Sequence, residues 1–563
     1  MSDTSVNIVI GGEAGQGLVT VGDFLSKALV RAGYEIVVSQ DYMSRVRGGH
    51  NTYAIRTSPD PVLAPKDEID ILVALNAETV SLHSDALSER AVVLADESVS
   101  FESKRRLKVP FKELIPKTIF ENTAALGILA QLLCLEKTWF HRLIEETFSK
   151  KGKEIVQQNI DVFEGAFAWS QENDVSFECI APATRTEKRL RLHGNEAIAL
   201  GALAAGVNFC SFYPMTPSTS IALNLIAKGE RMGLVAEQAE DEIAAVNMAL
   251  GASFAGACVL VPTSGGGFAL MTEGVSLAGM TETPVVFALA MRPGPATGLP
   301  TRTAQSDLNL VLYAGHGDFV RAIFTPGDIE ECFYLTWKAV DLAERVQSPM
   351  FILTDQFLAD SYRAVAPFDL DSLADVTKPD LSEEPDSNYM RYAMTKNGVS
   401  PRKLPGFGEF LVIADSDEHT QDGHITEDLA VAVDMADKRM RKMDILKEVI
   451  VPPTLDGDDI PELLLVCFGS TKGAALEAAS MLREAGGKVA VIHFSQVYPL
   501  DSAHFLDVFE SADRVVFVEG NVTGQFADLV RKETGFEADD RILRYDGLPF
   551  TAAYIIDRLE ATR

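Results

Sequence analysis

No two of the six cysteines (Cys134, Cys179, Cys210, Cys258, Cys332 and Cys467) lie close together in the 563-residue sequence. That spacing excludes a metal site or iron–sulfur cluster built from neighbouring thiolates. It also argues against a disulfide framework, so buried free thiols in a reducing cytosol are expected. Positive charge is scarce as well: 50 Lys and Arg stand against 81 Asp and Glu, a formal net charge of −31. A surface this acidic repels nucleic acid and anionic membranes, and any anionic substrate requires a locally basic pocket. No apolar run is long enough to span a bilayer. The opening Met1-Ser-Asp-Thr-Ser-Val-Asn7 lacks the basic and apolar regions of a signal peptide, which points to the cytoplasm.

What is present reads as a globular α/β chain. Hydrophobic residues make up 47% and charged residues 23%, and the length requires three or four domains. Asn7-Ile-Val-Ile-Gly11 is a short apolar strand that runs into Gly12-Glu-Ala-Gly15-Gln16-Gly17. A helix follows, with Val19, Phe24, Leu25, Ala28 and Leu29 expected on one face. Runs such as Ile69–Leu75, Ala91–Ala95, Leu463–Phe468, Val489–Phe494 and Val515–Val518 alternate with helical segments, the pattern of doubly wound parallel sheets. Residues 368–390 read as a solvated linker. The loop Asp415–His424, holding His419 and His424, also reads as solvated, since its spacing fits no standard metal site.

The candidate chemistry is concentrated between residues 194 and 302. Tyr213-Pro214-Met-Thr216-Pro-Ser-Thr219 is a stiff turn around a hydroxyl. Glu237, Glu240, Asp241 and Glu242 are expected in the first turns of a helix continuing to Gly251. Acids there oppose the macrodipole, but four exceed that role. The small residues that follow allow another chain to pack closely, and an acid facing such an apolar interface would keep its proton. Thr263-Ser-Gly-Gly-Gly-Phe268 offers bare backbone amides, and Arg292-Pro-Gly-Pro-Ala-Thr-Gly-Leu-Pro-Thr-Arg302 projects two arginines suited to carboxylates. The strand end is where open α/β sheets bind ligands. In the N-terminal part, the Gly12/Gly15/Gly17 loop lacks dinucleotide spacing. It is either a phosphate cradle or a tight turn, and Arg45 and Arg47 nearby favour an anion.

As an ordered set these motifs resemble the 2-oxoacid:ferredoxin oxidoreductases, in particular the fused gamma–alpha subunit of the 2-oxoglutarate type, over nearly the whole chain. The resemblance implies several α/β domains: a CoA-associated gamma domain (1–178), a thiamine pyrimidine-binding domain (190–366), a linker with a charged insertion (367–455) and a transketolase C-terminal-like domain (456–563). It implies thiamine-dependent oxidative decarboxylation of a 2-oxoacid to an acyl-CoA, with electrons passed to ferredoxin. Glu242 would be the glutamate on the aminopyrimidine ring, beside Tyr213 and Pro214. Thr216, Arg292 and Arg302 would bind the oxoacid. Gly12, Gly15, Gln16, Gly17, Arg45 and Arg47 would bind CoA. Met215 stands where the family often has isoleucine, and a Gly-Asp-Gly motif for diphosphate and magnesium is absent. The family places that motif and the iron–sulfur cluster in a separate beta subunit, so half an active site and a dimer of heterodimers are expected. Residues 418–427 and the Lys/Arg-rich helix after them look most like 2-oxoglutarate enzymes. The alternatives are pyruvate, branched-chain or arylpyruvate enzymes and, outside the class, a CoA transferase or ligase or a non-catalytic scaffold.

Overall fold

A computed structural model describes residues 4–13, 15–44, 49–100, 105–173, 177–185, 187–379, 381 and 388–561. The chain packs into two units, one of residues 1–192, 360–367 and 551–554, the other of residues 193–359, 368–550 and 555–563. Among the described residues no helix is long and apolar enough to cross a membrane.

The first unit is built on an eight-stranded sheet that changes character at its middle. Arg106–Val109, Leu87–Asp96, Ile69–Ala74 and Val6–Glu13 lie side by side in parallel. His50–Ser58, Glu35–Asp41, Arg363–Val365 and Leu190–Leu192 then continue the sheet, each antiparallel to its neighbour. The reason is connection length. Glu35–Asp41 and His50–Ser58 are joined by a short loop, which permits only an antiparallel pair, whereas parallel neighbours need a long crossover. Helix Leu18–Arg31 covers the sheet with Leu18, Val21, Leu25, Ala28 and Leu29. Val19, expected in that stripe, is exposed; it lies about 100° around the helix from Leu18.

Two cysteines of this unit correct the expectation of six free thiols. Cys134 and Cys179 form a disulfide, with Cα atoms 5.3 Å apart. Helices Lys137–Phe148 and Lys153–Glu172 intervene, and the second returns along Glu121–Leu132, so distance in sequence concealed closeness in space. Cys210, Cys332 and Cys467 are free and buried; Cys258 is free and half-buried.

The second unit holds two sheets. The larger runs Gln496–Tyr498, Ile323–Phe324, Pro349–Asp355, Val285–Met291, Val259–Thr263, Phe209–Phe212 and Val235–Gln238, parallel except at its first edge. Val285–Met291 is buried along its whole length, as a central strand covered by helices on both faces must be. The smaller sheet runs Thr454–Asp456, Val489–Phe494, Leu463–Phe468, Arg514–Glu519 and Asp540–Leu543, parallel except for its first strand.

The charged segment after residue 390 is packed rather than solvated. Lys438 and Lys442, on helix Leu429–Glu448, are buried and both pair with the buried Glu282, at 2.6 and 2.5 Å. Arg391 donates to the Glu282 carbonyl oxygen at 2.7 Å. Burial alone would raise the Glu282 carboxyl, but the surrounding cations Lys442, Lys438 and Arg391 overcome it and hold its pKa at about 2. Burial, helped by the neighbouring cations and opposed by Glu282, lets each lysine lose its proton more easily than a free one. His419 is a second correction to the solvated reading. It is wholly buried, its ring 4.0 Å from that of Tyr392, while His424 is exposed.

Candidate active site

In the second unit the singled-out motifs converge at the C-terminal ends of the parallel strands. Tyr213 and Pro214 leave strand Phe209–Phe212 exposed to solvent. The turn behind them is held from inside. Ser218 Oγ donates to the Met215 carbonyl oxygen at 2.8 Å. Asn195, on helix Gly194–Ala204, donates to the Pro217 carbonyl oxygen and to Ser220 Oγ, both at 2.8 Å. Asn195 thus fixes the Pro-Met-Thr-Pro turn.

The four acids do not act as a group, contrary to the expectation from sequence. Glu237 lies on the edge strand Val235–Gln238, exposed, and Glu240 is exposed beyond it. Asp241 is the cap of the helix, accepting from the Ala244 amide at 2.7 Å. Glu242 alone opens helix Glu242–Phe254 and is buried, at 4% exposure. The strand was hidden because it is only four residues long and largely open to solvent, so it carries no apolar alternation.

The glycine run forms the first turn of helix Gly265–Met280, immediately after strand Val259–Thr263. A Cβ at Gly267 would collide with Thr263 Oγ1 and stand 2.9 Å from Glu242 Oε1, so only glycine admits the carboxylate here. Phe268 anchors the turn, its ring 5.6 and 5.8 Å from those of Phe287 and Phe351; such aromatic pairs add about 0.5–1.5 kcal/mol each beyond burial.

Arg292 follows strand Val285–Met291 and is 9% exposed. Its Nη1 donates to the Thr216 carbonyl oxygen at 2.7 Å, which joins the two predicted oxoacid residues. Its Nε is buried without a partner. Arg302 belongs to a different part of the loop, packed against Gly547.

Two residues that sequence reasoning passed over stand on the same loop. Gln305 is buried and clamped by the third sheet. Its amide donates to the Gly520 carbonyl oxygen at 2.6 Å, its Nε2 donates to the Phe468 carbonyl oxygen at 2.8 Å, and its Oε1 accepts from the Gly520 amide at 2.8 Å. The segment from Glu519 to Gly524 is therefore a docking loop. Glu519 stiffens it by accepting from the Phe526 and Ala527 amides, both at 2.9 Å. Asp307 lies against Gly265, where a Cβ would collide with both carboxylate oxygens. Burial lifts its pKa to about 6 against the opposing pull of Arg292. Its place before Leu308-Asn-Leu-Val-Leu312 reads as a helix cap, which disguised it. Among the described residues no three His, Cys, Asp or Glu side chains gather as a metal site.

In the first unit, Gly15 and Gly17 border a cavity of about 400 Å³, with Thr20, Gln40, Tyr42 and Asn51 among its lining. Gly17 caps helix Leu18–Arg31 at φ 86° without any side-chain cap, so the first-turn amides remain available to an anion. Gln16 folds back to accept from the Glu13 amide at 2.7 Å, and Gly12 pairs with Asn51 inside the sheet. Arg45 and Arg47 lie outside the described residues.

Known proteins resemble this chain along its length. Residues 7–169 match the family described as pyruvate ferredoxin/flavodoxin oxidoreductase. Residues 200–438 match the thiamine diphosphate-binding domain of pyruvate flavodoxin/ferredoxin oxidoreductase, and residues 457–554 the transketolase C-terminal domain. The chain is 31% identical to 2-oxoacid:ferredoxin oxidoreductase 2, subunit alpha, from Aeropyrum pernix, over 99% of this chain and 98% of that one. It is 28% identical to the 2-oxoglutarate oxidoreductase subunit KorA of Mycobacterium tuberculosis, over 93% and 87%. A solved 2-oxoglutarate:ferredoxin oxidoreductase from Magnetococcus marinus, with 2-oxoglutarate, coenzyme A and succinyl-CoA bound, superposes with TM-score 0.93 at 28% identity and 99% coverage of both chains. With its thiamine-type domain, its strand-end site and relatives matched end to end, the chain belongs to the 2-oxoacid:ferredoxin oxidoreductases, as a subunit of the alpha type.

Proposed function

We propose that this chain is the alpha subunit of a heteromeric 2-oxoglutarate:ferredoxin oxidoreductase that makes an acyl-CoA and passes electrons to ferredoxin. The observation that carries the reading is the presence of one buried carboxylate, Glu242, in a glycine-walled recess and of a nearly buried arginine, Arg292, both beyond strand ends of one parallel sheet. The recess fits a flat ring edge-on, because Gly267 leaves the Glu242 oxygen unobstructed. Bound thiamine diphosphate would supply the nucleophilic carbon and the electron sink. Glu242 would hold a proton at the aminopyrimidine nitrogen, which makes the ring's exocyclic nitrogen a base at the right place. Arg292 would bind the oxoacid carboxylate through its free Nε edge, with Thr216 lining the same pocket and Arg302 a more distant helper.

The first unit would hold coenzyme A, its phosphates on the uncapped amides behind Gly15 and Gly17, with Arg45 and Arg47 as cations. No diphosphate-and-magnesium motif is present in this chain, so a beta subunit carrying that half-site and the iron–sulfur cluster is required. Exposed apolar residues on the elements around the site (Tyr213, Ile243, Met248 and Leu270) suit such a partner. A dimer of heterodimers in the cytoplasm completes the reading.

The test is reconstitution. The chain alone should be colourless and inactive, and should gain CoA-dependent viologen reduction with its beta partner, thiamine diphosphate and 2-oxoglutarate. Activity of the chain alone would overturn the half-site assignment. Pyruvate is the second substrate to try, because two of the matched families carry its name; a higher kcat/KM for pyruvate would replace 2-oxoglutarate with it.

A further inference from the structure

Three buried polar atoms around the strand ends have no hydrogen-bond partner: Ser264 Oγ, Arg292 Nε and Asp307 Oδ2. Ser264 precedes Gly265, against which the Asp307 carboxylate lies; Arg292 ends the neighbouring parallel strand, whose Leu289 pairs with Thr263, so the two groups flank the same strand ends and each feels the other's charge. An unpaired buried polar group costs about 1–3 kcal/mol, and more when charged. Folding alone gives no reason to keep three together.

Asp307 serves neither of the two ordinary purposes of an aspartate in its place. It stands at the cap of helix Leu308–Leu312 but makes no side-chain cap bond. Nor does it form an ion pair with Arg292, although both are described residues. Its backbone is nonetheless fixed on both sides. Gln525 Nε2 donates to the Ser306 carbonyl oxygen at 2.8 Å, and the Asn309 amide donates to Gln525 Oε1 at 2.9 Å. With the Gln305 clamp, the chain holds this carboxylate in position without giving it a bond.

We propose that Asp307 is the resident counter-charge of Arg292: it balances the guanidinium while no oxoacid is bound, takes up one proton when the oxoacid carboxylate arrives, and returns that proton when the carboxylate departs as carbon dioxide. This rests on Arg292 binding the oxoacid carboxylate, as proposed above. The electrostatics follow from what faces the group. Arg292, from the end of strand Val285–Met291, is the charge that opposes the effect of burial on Asp307. Gln525, from helix Gln525–Thr534, is neutral, and Asp528 in the same turn is paired with Arg541 at 2.8 Å. Glu242 lies further along the glycine run, at Gly267. An anion seated on Arg292 cancels the pull that keeps Asp307 ionised and adds a like charge beside it. Both changes favour the protonated acid at neutral pH. Only a proton moves; no covalent bond or electron is involved.

The experiment measures kcat/KM for 2-oxoglutarate and pyruvate against pH in the complete enzyme, assembled with its beta partner and loaded with thiamine diphosphate. Wild type should lose about fiftyfold in kcat/KM from about pH 6 to about pH 8, through KM, as ionised Asp307 competes with the substrate. Asp307→Asn, which carries no charge, should be flat over that window and exceed wild type several-fold at about pH 8. Asp307→Ala gives a second uncharged side chain with the same expected loss of slope. A descent that survives both substitutions, or a uniform loss that keeps the wild-type shape, overturns the proposal. Arg292→Lys separates the two levels. If it leaves KM unchanged, the oxoacid role of Arg292 fails; if it raises KM while the Asp307 variants keep the descent, the counter-charge alone fails.

Discussion

Gln305 and Gly520 exchange hydrogen bonds in both directions, main chain to main chain at 2.6 Å and Gly520 amide to Gln305 Oε1 at 2.8 Å. This reciprocal clasp links the loop that begins at Arg292 to the five-stranded sheet of the same unit. It explains how a long, proline- and glycine-rich loop can present charged groups with fixed geometry.

Gln305→Ala should therefore reduce both stability and catalysis. It leaves the Gly520 amide buried and unpaired, at about 1–3 kcal/mol, while the Phe468 carbonyl keeps its bond from Thr471 Oγ1 at 2.6 Å. Urea unfolding should show a loss of about 1–3 kcal/mol, and KM for the oxoacid should rise in the assembled enzyme. Unchanged values for both would show the clasp to be incidental.

Glu242→Gln should preserve the fold and assembly, since the two side chains are alike in size. Turnover should drop by about two to four orders of magnitude, the range general acid–base catalysis supplies. Rapid-mix assays on the reconstituted enzyme measure this; near-normal turnover would remove Glu242 from the chemistry.

Arg292→Lys keeps the charge but loses the planar fork that grips a carboxylate with two bonds. KM for the oxoacid should rise about tenfold or more, from the loss of about 1.5–3 kcal/mol of charge-assisted bonding, while KM for CoA stays put. Equal shifts in both constants would point to general damage.

Glu282 gives a pH signature. Its carboxyl titrates near 2 in the fold against the usual value of 4.5, so the fold binds fewer protons than the unfolded chain between those values. The resulting stability, about 3 kcal/mol, is complete above the unfolded pKa and declines as pH falls through the folded one. Glu282→Gln strands Lys438 and Lys442 without a counter-ion and should cost about 3–5 kcal/mol at neutral pH. It should also flatten the acid limb of stability measured by denaturant at successive pH values.

Reducing the Cys134–Cys179 bridge should loosen the first unit. Its ends are 45 residues apart in sequence, and releasing a closed loop of that length lowers stability by up to about 4 kcal/mol. Calorimetry with and without a thiol reductant, using Cys134→Ser as a control insensitive to reductant, checks this.

The legible and the illegible parts of this chain differ for physical reasons. Val285–Met291 and Leu463–Phe468 are strands buried on both faces, so their residues form unbroken apolar runs that announce them. The turn at Thr216 and the loop after Arg292 were legible because proline and glycine mark out irregular backbone. Leu190–Leu192 and Arg363–Val365 are three residues each, too short to show a period. The burial of Lys438 and Lys442 was illegible because Glu282, which makes it tolerable, stands 156 residues before Lys438. Asp307 was concealed by an ordinary capping position, and only the bonds missing from its side chain distinguish it.

The strand Arg363–Val365 sits between Glu35–Asp41 and Leu190–Leu192 in the first sheet. On a ribosome, the amino-terminal strands emerge long before that insert is synthesised, and until it arrives Glu35–Asp41 has an unmatched ladder of amides and carbonyls. Such an edge attracts other chains. A gene cut after the first 190 or so codons would make a protein with that edge permanently open, and expressing the missing eight-residue stretch as a free peptide should rescue its solubility.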